Sequence, residues 1–180
     1  LENGYILYKG LLVSWKKTLA DITEILSSND FKSEITDLLK RTFGHFSLII
    51  KSNDLLLAAV DSTRSKPLYY MDNERVRFVT DNYRYFKDYF DDGLMLSSNS
   101  ETEIHMSGYC SFQDTLYKDI KSFLPGQIFC FHPESGFLEA NINNYHAWLV
   151  KSNLPQEQLL SKLNSKLIQV MTNVIKVLNG

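Results

Sequence analysis

Thiols and imidazoles are scarce in this chain: Cys110 and Cys130, then His45, His105, His132 and His146. A cysteine nucleophile needs a neighbouring base or a lowered pKa. Both cysteines lie mid-chain with no base at a fixed spacing, so each reads as a small apolar core residue. The histidines lack metal-ligand spacing such as a pair one helical turn apart, and no metal site is expected. Asp61 and Arg64 could orient a ligand, but the plainer reading is an ion pair holding a strand-to-turn junction. Asp91, Asp92, Glu101 and Glu103 read as solvated helix-end charges, because an acid/base pair needs two carboxylates converging on one bond. The run Tyr83-Arg84-Tyr85-Phe86-Lys87 mixes aromatic and basic residues as nucleic-acid platforms do. Its neighbours Asp81, Asp88, Asp91 and Asp92 oppose that use and favour a packed helix face. The sequence therefore assigns no catalytic, cofactor-binding or metal-binding residue to this chain.

The elements that must carry these groups follow from periodicity. Tyr5 to Val13 is aromatic and aliphatic, as a strand requires, and a helical stripe of Leu19, Ile22, Ile25 and Leu26 spans residues 16–27. A second helix, 30–42, places Phe31, Ile35, Leu38 and Leu39 on one face, with Asn29 or Asp30 as its cap and Gly44 as its stop. Residues 46–51 and 55–61 form a hairpin around Ser52-Asn53-Asp54. The run Leu55-Leu56-Leu57-Ala58-Ala59-Val60 does not alternate, so its strand needs apolar cover on both faces. Another hairpin joins 67–71 to 76–80 around Asp72-Asn73, with Val76 and Phe78 opposite Arg75 and Arg77. Asp81 can cap a short helix whose Tyr85, Phe86, Tyr89 and Phe90 share a face. Ser98 and Glu101 have the spacing of a capping box for a helix reaching about Cys110. Late strands run over 127–132 and 136–142. After a linker at 151–155, Pro155 opens a long helix with a wide apolar face containing Leu159, Leu160, Leu163, Leu167, Met171, Val174, Ile175 and Leu178. Such a helix at the end of the chain suggests an excised segment or a missing partner surface, with packing on its own domain as the alternative.

The chain has 180 residues, 44% of them apolar, and a net charge of -2. It is long enough for one buried core and offers no basic surface for nucleic acid. Two cysteines are too few for a disulfide framework and fit a reducing, cytoplasmic setting. The longest apolar runs fall far short of the roughly 20 residues that cross a bilayer. No signal region, repeat or phosphate-binding glycine loop is present.

Four blocks stand in a telling order: Gly44 with Phe46; Ala59, Asp61 and Lys66-Pro67-Leu68-Tyr69-Tyr70; Phe78; and Thr115-Leu116, Ile120 and Pro125-Gly126. Together they resemble the N-terminal, glutaminase-type domain of asparagine synthetase-like amidotransferases, over roughly residues 31–148. Tyr145 and Trp148 resemble the aromatic pair that closes that domain. The resemblance implies an α+β, four-layer α-β-β-α sandwich of the N-terminal-nucleophile hydrolase type. It also implies a domain at 1–150 and, at 151–180, a linker with the first helix of an absent synthetase domain. ATP and magnesium would belong to that absent half. The departures are chemical. The family's nucleophile is an N-terminal Cys, and this chain opens on Leu1. Its N-G-E turn is matched at Lys9-Gly10-Leu11 by the glycine alone, and the strands that precede it are missing. Its S-D-T-E motif has no counterpart, and Arg64 stands where the family has a glycine.

The expectation is therefore a degenerate glutaminase-like domain of an asparagine synthetase-like, ATP-dependent amide-forming enzyme, unable to hydrolyse glutamine by itself. Its partner would be the synthetase domain in cis, with a homodimer allowed and neither nucleic acid nor membrane involved. The alternatives are a piece of an active enzyme whose Cys-bearing N-terminus is missing, and a non-catalytic interaction module docking through its last helix.

Overall fold

Both faces of the strand Leu55–Val60 are buried, with Leu57, Ala58, Ala59 and Val60 each fully inaccessible. This is the outcome required of an apolar run that does not alternate. In the computed structural model, the described residues are 4–12, 15–26, 28, 30–42, 44–52, 55–72, 77–90, 93–132, 136–141 and 153–178. Leu1, Asn29, Asp91, Asp92, Tyr145, His146 and Trp148 lie outside them, as do Arg75 and Val76 of the second hairpin. The chain divides into two compact units, Leu1–Gly10 with His45–Asn141, and Leu11–Gly44 with Ile142–Gly180.

The first unit is built on two sheets. The strands β1 (Gly4–Leu12), β2 (Gly44–Ser52), β3 (Leu55–Val60), β7 (Gln127–His132) and β8 (Gly136–Asn141) form a five-stranded sheet in the order β1-β2-β3-β7-β8. A smaller sheet has the order β5-β4-β6, from β4 (Tyr69–Asp72), β5 (Arg77–Thr80) and β6 (Lys121–Ser122). Pairing is antiparallel in the β2–β3, β3–β7, β7–β8, β4–β5 and β4–β6 ladders. The sheets stack through Ala58, Val60 and Phe129 of the larger one and Tyr70 and Val79 of the smaller, with Leu68 and Phe123 between them. Tyr70 meets Phe123 edge to face at 5.3 Å, and Phe129 tilted at 5.2 Å, the offset geometry that ring quadrupoles favour. The outer face of the small sheet buries Met71 against Phe86 of α3 (Arg84–Tyr89) and against Ile120, which immediately precedes β6. Each fully buried aliphatic side chain in such layers contributes about 1.5–3 kcal/mol.

Local details correct several expectations. In α3 only Phe86 is fully buried; Tyr85 is half-exposed and the exposed Tyr89 keeps a ring contact with Phe78 at 5.7 Å, so the expected four-residue packed face is centred on Phe86 and the half-buried Phe90. Its first turn is held by the Asn82 side-chain oxygen, which accepts from the Arg84 amide at 3.1 Å; Asp81 does not cap it. The helix α4 (Ser98–Ser107) is capped by Ser97, one residue before the expected Ser98, and ends at Gly108 in the left-handed conformation. The strand β6 was not expected, because two residues carry no readable period.

The second unit contains α1 (Trp15–Ile25), α2 (Phe31–Arg41) and α5 (Gln156–Leu178). Ile22 of α1 and Ile35 and Leu39 of α2 are buried, as their stripes demanded. Asp30 occupies the N-cap of α2 without a capping bond, and Thr42, not Gly44, is its C-cap. Gly44 already belongs to β2. On α5, Leu159, Leu160, Leu163, Leu167, Met171 and Ile175 are all exposed, whereas Val174 is half-buried.

Candidate functional site

The end of β3 feeds a tight turn organised by one carboxylate. Asp61 is buried, and its Oδ1 accepts from the Thr63 amide at 2.9 Å and the Thr63 hydroxyl at 2.6 Å. Its Oδ2 accepts from the Phe46 amide at 3.0 Å, the Ser65 amide at 3.1 Å and the Ser65 hydroxyl. Burial alone would raise the pKa of this carboxyl. Hydrogen bonds from the Ser65 and Thr63 hydroxyls and from the Thr63 and Phe46 amides outweigh it and hold the group below the ordinary 3.8. Arg64 does not pair with Asp61 as expected. Its Nη1 donates to Ser122 Oγ at 3.0 Å and to the Phe123 carbonyl at 2.9 Å, tying the turn to β6. The backbone of Arg64 sits at φ 52°, the left-handed region where glycine is the usual residue. The arginine thus keeps a glycine-type turn at a conformational cost and offsets it with charge-assisted bonds.

Asp61 also sets the start of β2, and with it one wall of a cavity of about 420 Å³. The cavity lies where β1 and β2 of the larger sheet face β5 of the smaller, with Ile49, Leu68 and Val79 as its apolar floor and Lys9, Ser47 and Asp81 as polar groups. Strand alternation puts them there. Ser47 shares its parity with the inward-facing Ile49, and Asp81 shares that of Val79. Lys9 Nζ meets Asp81 Oδ2 at 2.7 Å, with the two side chains 60% and 40% exposed. At that exposure the pair is worth at most about 1 kcal/mol. Thr80 also lines the cavity, and its hydroxyl accepts from the Asn82 amide at 3.1 Å.

Close packing of β1 explains Gly10. Its φ is +124°, and a Cβ there would stand 2.0 Å from the His45 carbonyl oxygen. The triplet Lys9-Gly10-Leu11 lies within β1, as the strand reading of Tyr5 to Val13 requires, so the position that resembles the family's N-G-E turn is strand backbone whose glycine is retained for close approach.

The other candidates disperse. Cys130 is buried in β7 and Cys110 is half-buried, neither lining the cavity. His45 and His105 are exposed, and no cluster of metal-ligating groups occurs among the described residues. His132 falls at the end of β7. Glu101 is exposed as expected, whereas Glu103 accepts from the Ser111 amide at 2.9 Å and so braces the loop after α4. Ser47 matches no motif position, and its one sequence signal is a small polar residue at an inward position of a buried strand; Lys9 enters the site through Asp81, which is distant in the chain.

No protein-family model matches the chain, and no curated protein does. Among solved structures it is similar to a glutamine amidotransferase. Glutamine phosphoribosylpyrophosphate amidotransferase from B. subtilis, complexed with ADP and GMP, matches at TM-score 0.48 and 14% identity, over 78% of this chain and 29% of that one. A structure of the allosteric regulatory enzyme of purine biosynthesis matches at TM-score 0.48 and 14% identity, over 78% of this chain and 28% of its own. The chain thus spans less than a third of either neighbour. A likeness of that degree decides nothing about chemistry, and the mixed α+β architecture rests on the strand pairing and burial described above. Among the described residues, no helix is long and apolar enough to cross a membrane.

Proposed function

We propose that this chain is a glutaminase-type domain that does not hydrolyse glutamine and that serves an ATP-dependent amide-forming enzyme related to asparagine synthetases. The observation that carries the reading is the composition of the cavity between the sheets. Its described lining offers no thiol and no imidazole, and its two charged groups, Lys9 and Asp81, are joined to each other. A hydroxyl such as that of Ser47 attacks an amide only with a base beside it, and an ammonium already paired to a carboxylate is not one. The ordered sequence blocks support the family, because Asp61, Tyr69 and Tyr70 fall on the turn and strand that shape this unit, and Phe78 on the strand paired with it.

On this reading residues 1–150 form the glutaminase-like part of a four-layer sandwich. Residues 151–180 lead into the synthetase domain, where ATP and magnesium act. The exposed apolar face of α5 agrees with a partner surface in cis. The proposal places the protein in the cytoplasm, with neither nucleic acid nor membrane as a partner. Incubation with an electrophilic diazoketone analogue of glutamine, followed by intact-mass and peptide mapping, tests it. The expected result is no adduct on any residue lining the cavity, and a stoichiometric adduct there overturns the reading.

A further inference from the structure

A second cavity lies in the first unit, shares no lining residue with the one above, and has a different chemistry. It encloses about 340 Å³ and is lined by Tyr69, Tyr83, Thr115, Leu116, Tyr117 and Ile120. It opens on the outer face of the small sheet, beside the start of α3. Nothing in its lining carries a charge.

The walls are held in place before any ligand arrives. Tyr69 is fixed by the β4 ladder, opposite Thr80 on one side and Ser122 on the other. The Thr115 hydroxyl donates to the Ile120 carbonyl at 2.8 Å and accepts from the Tyr117 amide at 3.2 Å, which folds the 115–120 loop over the buried Ile120. A bridge between Leu96 and Tyr117 braces that loop from outside. With its hydroxyl so engaged, Thr115 has no remaining proton to offer a ligand.

Shape and charge then select the ligand. Tyr69 and Tyr83 meet edge to face, with ring centroids 6.2 Å apart and planes at 71°. Rings so inclined make a corner, not a parallel slot, and a corner suits a compact, rounded group better than a flat one. An anion finds no cationic partner in the lining. A primary ammonium needs three strong hydrogen-bond acceptors in place of its water, and the lining side chains offer no carboxylate, only neutral hydroxyls, to replace them. A methylated ammonium carries few or no N–H groups and is weakly hydrated, and the negative faces of aromatic rings attract it at centroid distances up to about 6 Å. We propose that Tyr69, Tyr83 and Tyr117 form an aromatic cage that binds a small quaternary ammonium group.

The probes are choline and its neutral isostere 3,3-dimethylbutan-1-ol, titrated into the whole chain while tyrosine ring resonances are followed by NMR. The expected result is saturable shifts at Tyr69, Tyr83 and Tyr117 with choline, and about tenfold weaker binding of the isostere, since cation–π attraction supplies the difference. Tyr83 is half-exposed, so its variants keep the fold, which an unchanged melting curve verifies. Tyr83→Phe should bind choline within about threefold of the parent, and Tyr83→Leu about tenfold more weakly. Equal affinity for choline and the isostere overturns the proposal by showing a merely apolar hole. Absence of saturation at tens of millimolar choline, or shifts confined to other residues, overturns it as well.

Discussion

Replacing Asp61 by asparagine isolates the carboxylate on which the first unit turns. Asn keeps one oxygen and presents an NH₂ group where the second oxygen received donors. If the remaining oxygen serves the buried Phe46 amide and Ser65, both Thr63 bonds are lost. Thr63 is exposed, so water takes over its N–H and O–H, and the cost falls below the range for bonds to a charged group, to that of an ordinary hydrogen bond. At about 1–1.5 kcal/mol per bond, the Asn variant should lose about 2–3 kcal/mol. For a chain of this size that lowers the melting temperature by about 5–10 °C. Asp61→Ala additionally strands the Phe46 amide without an acceptor, adding about 1–3 kcal/mol. Acidity supplies the control. Because the folded carboxyl titrates below 3.8, the native state binds fewer protons than the unfolded chain, so its stabilisation is complete well above pH 3.8 and fades as pH falls through the folded pKa. Urea unfolding of both proteins from pH 7 downward should show a gap that closes only in that acid range. An Asn variant within about 0.5 kcal/mol of the parent at pH 7, or a gap unchanged at pH 2, would refute the assigned role.

Three further outcomes follow from the same geometry. Arg64→Ala loses the bonds to Ser122 and Phe123 and keeps a left-handed backbone, whereas Arg64→Gly loses the same bonds and relieves it; the glycine variant should be the more stable of the two by about 1 kcal/mol in chemical denaturation. Gly10→Ala forces a methyl against the His45 carbonyl and should destabilise by more than about 3 kcal/mol, with amide exchange accelerated first in β1 and β2. Leu163→Lys on α5 should shift the unfolding midpoint of the isolated chain by less than about 0.5 kcal/mol, because that side chain is 57% exposed.

The sequence revealed most where one element's own pattern was sufficient. Two-sided burial of Leu55 to Val60 was readable because apolar residues occupied both parities, and the buried stripes of α1 and α2 were readable from their period. What escaped depends on partners distant in the chain. Arg64 reaches Ser122 and Phe123, and Lys9 reaches Asp81, so neither the turn's anchor nor the cavity's ion pair has a local signature. Tyr85 and Tyr89 share the spacing of a packed face and yet stay exposed, because helical spacing cannot tell which part of an aromatic surface a short helix will cover. The expected Asp61–Arg64 ion pair does not form, since an adjacent arginine is a more obvious neighbour in sequence than five hydrogen-bond donors from Phe46, Thr63 and Ser65.

Ammonia release from amide-¹⁵N-labelled glutamine, followed by NMR on this chain, bears most directly on the cavity's proposed loss of chemistry. The account predicts a rate indistinguishable from buffer alone, and no change when Lys9 or Asp81 is replaced by alanine. Turnover on the order of 1 s⁻¹ or faster, as an ordinary enzyme achieves, would contradict it.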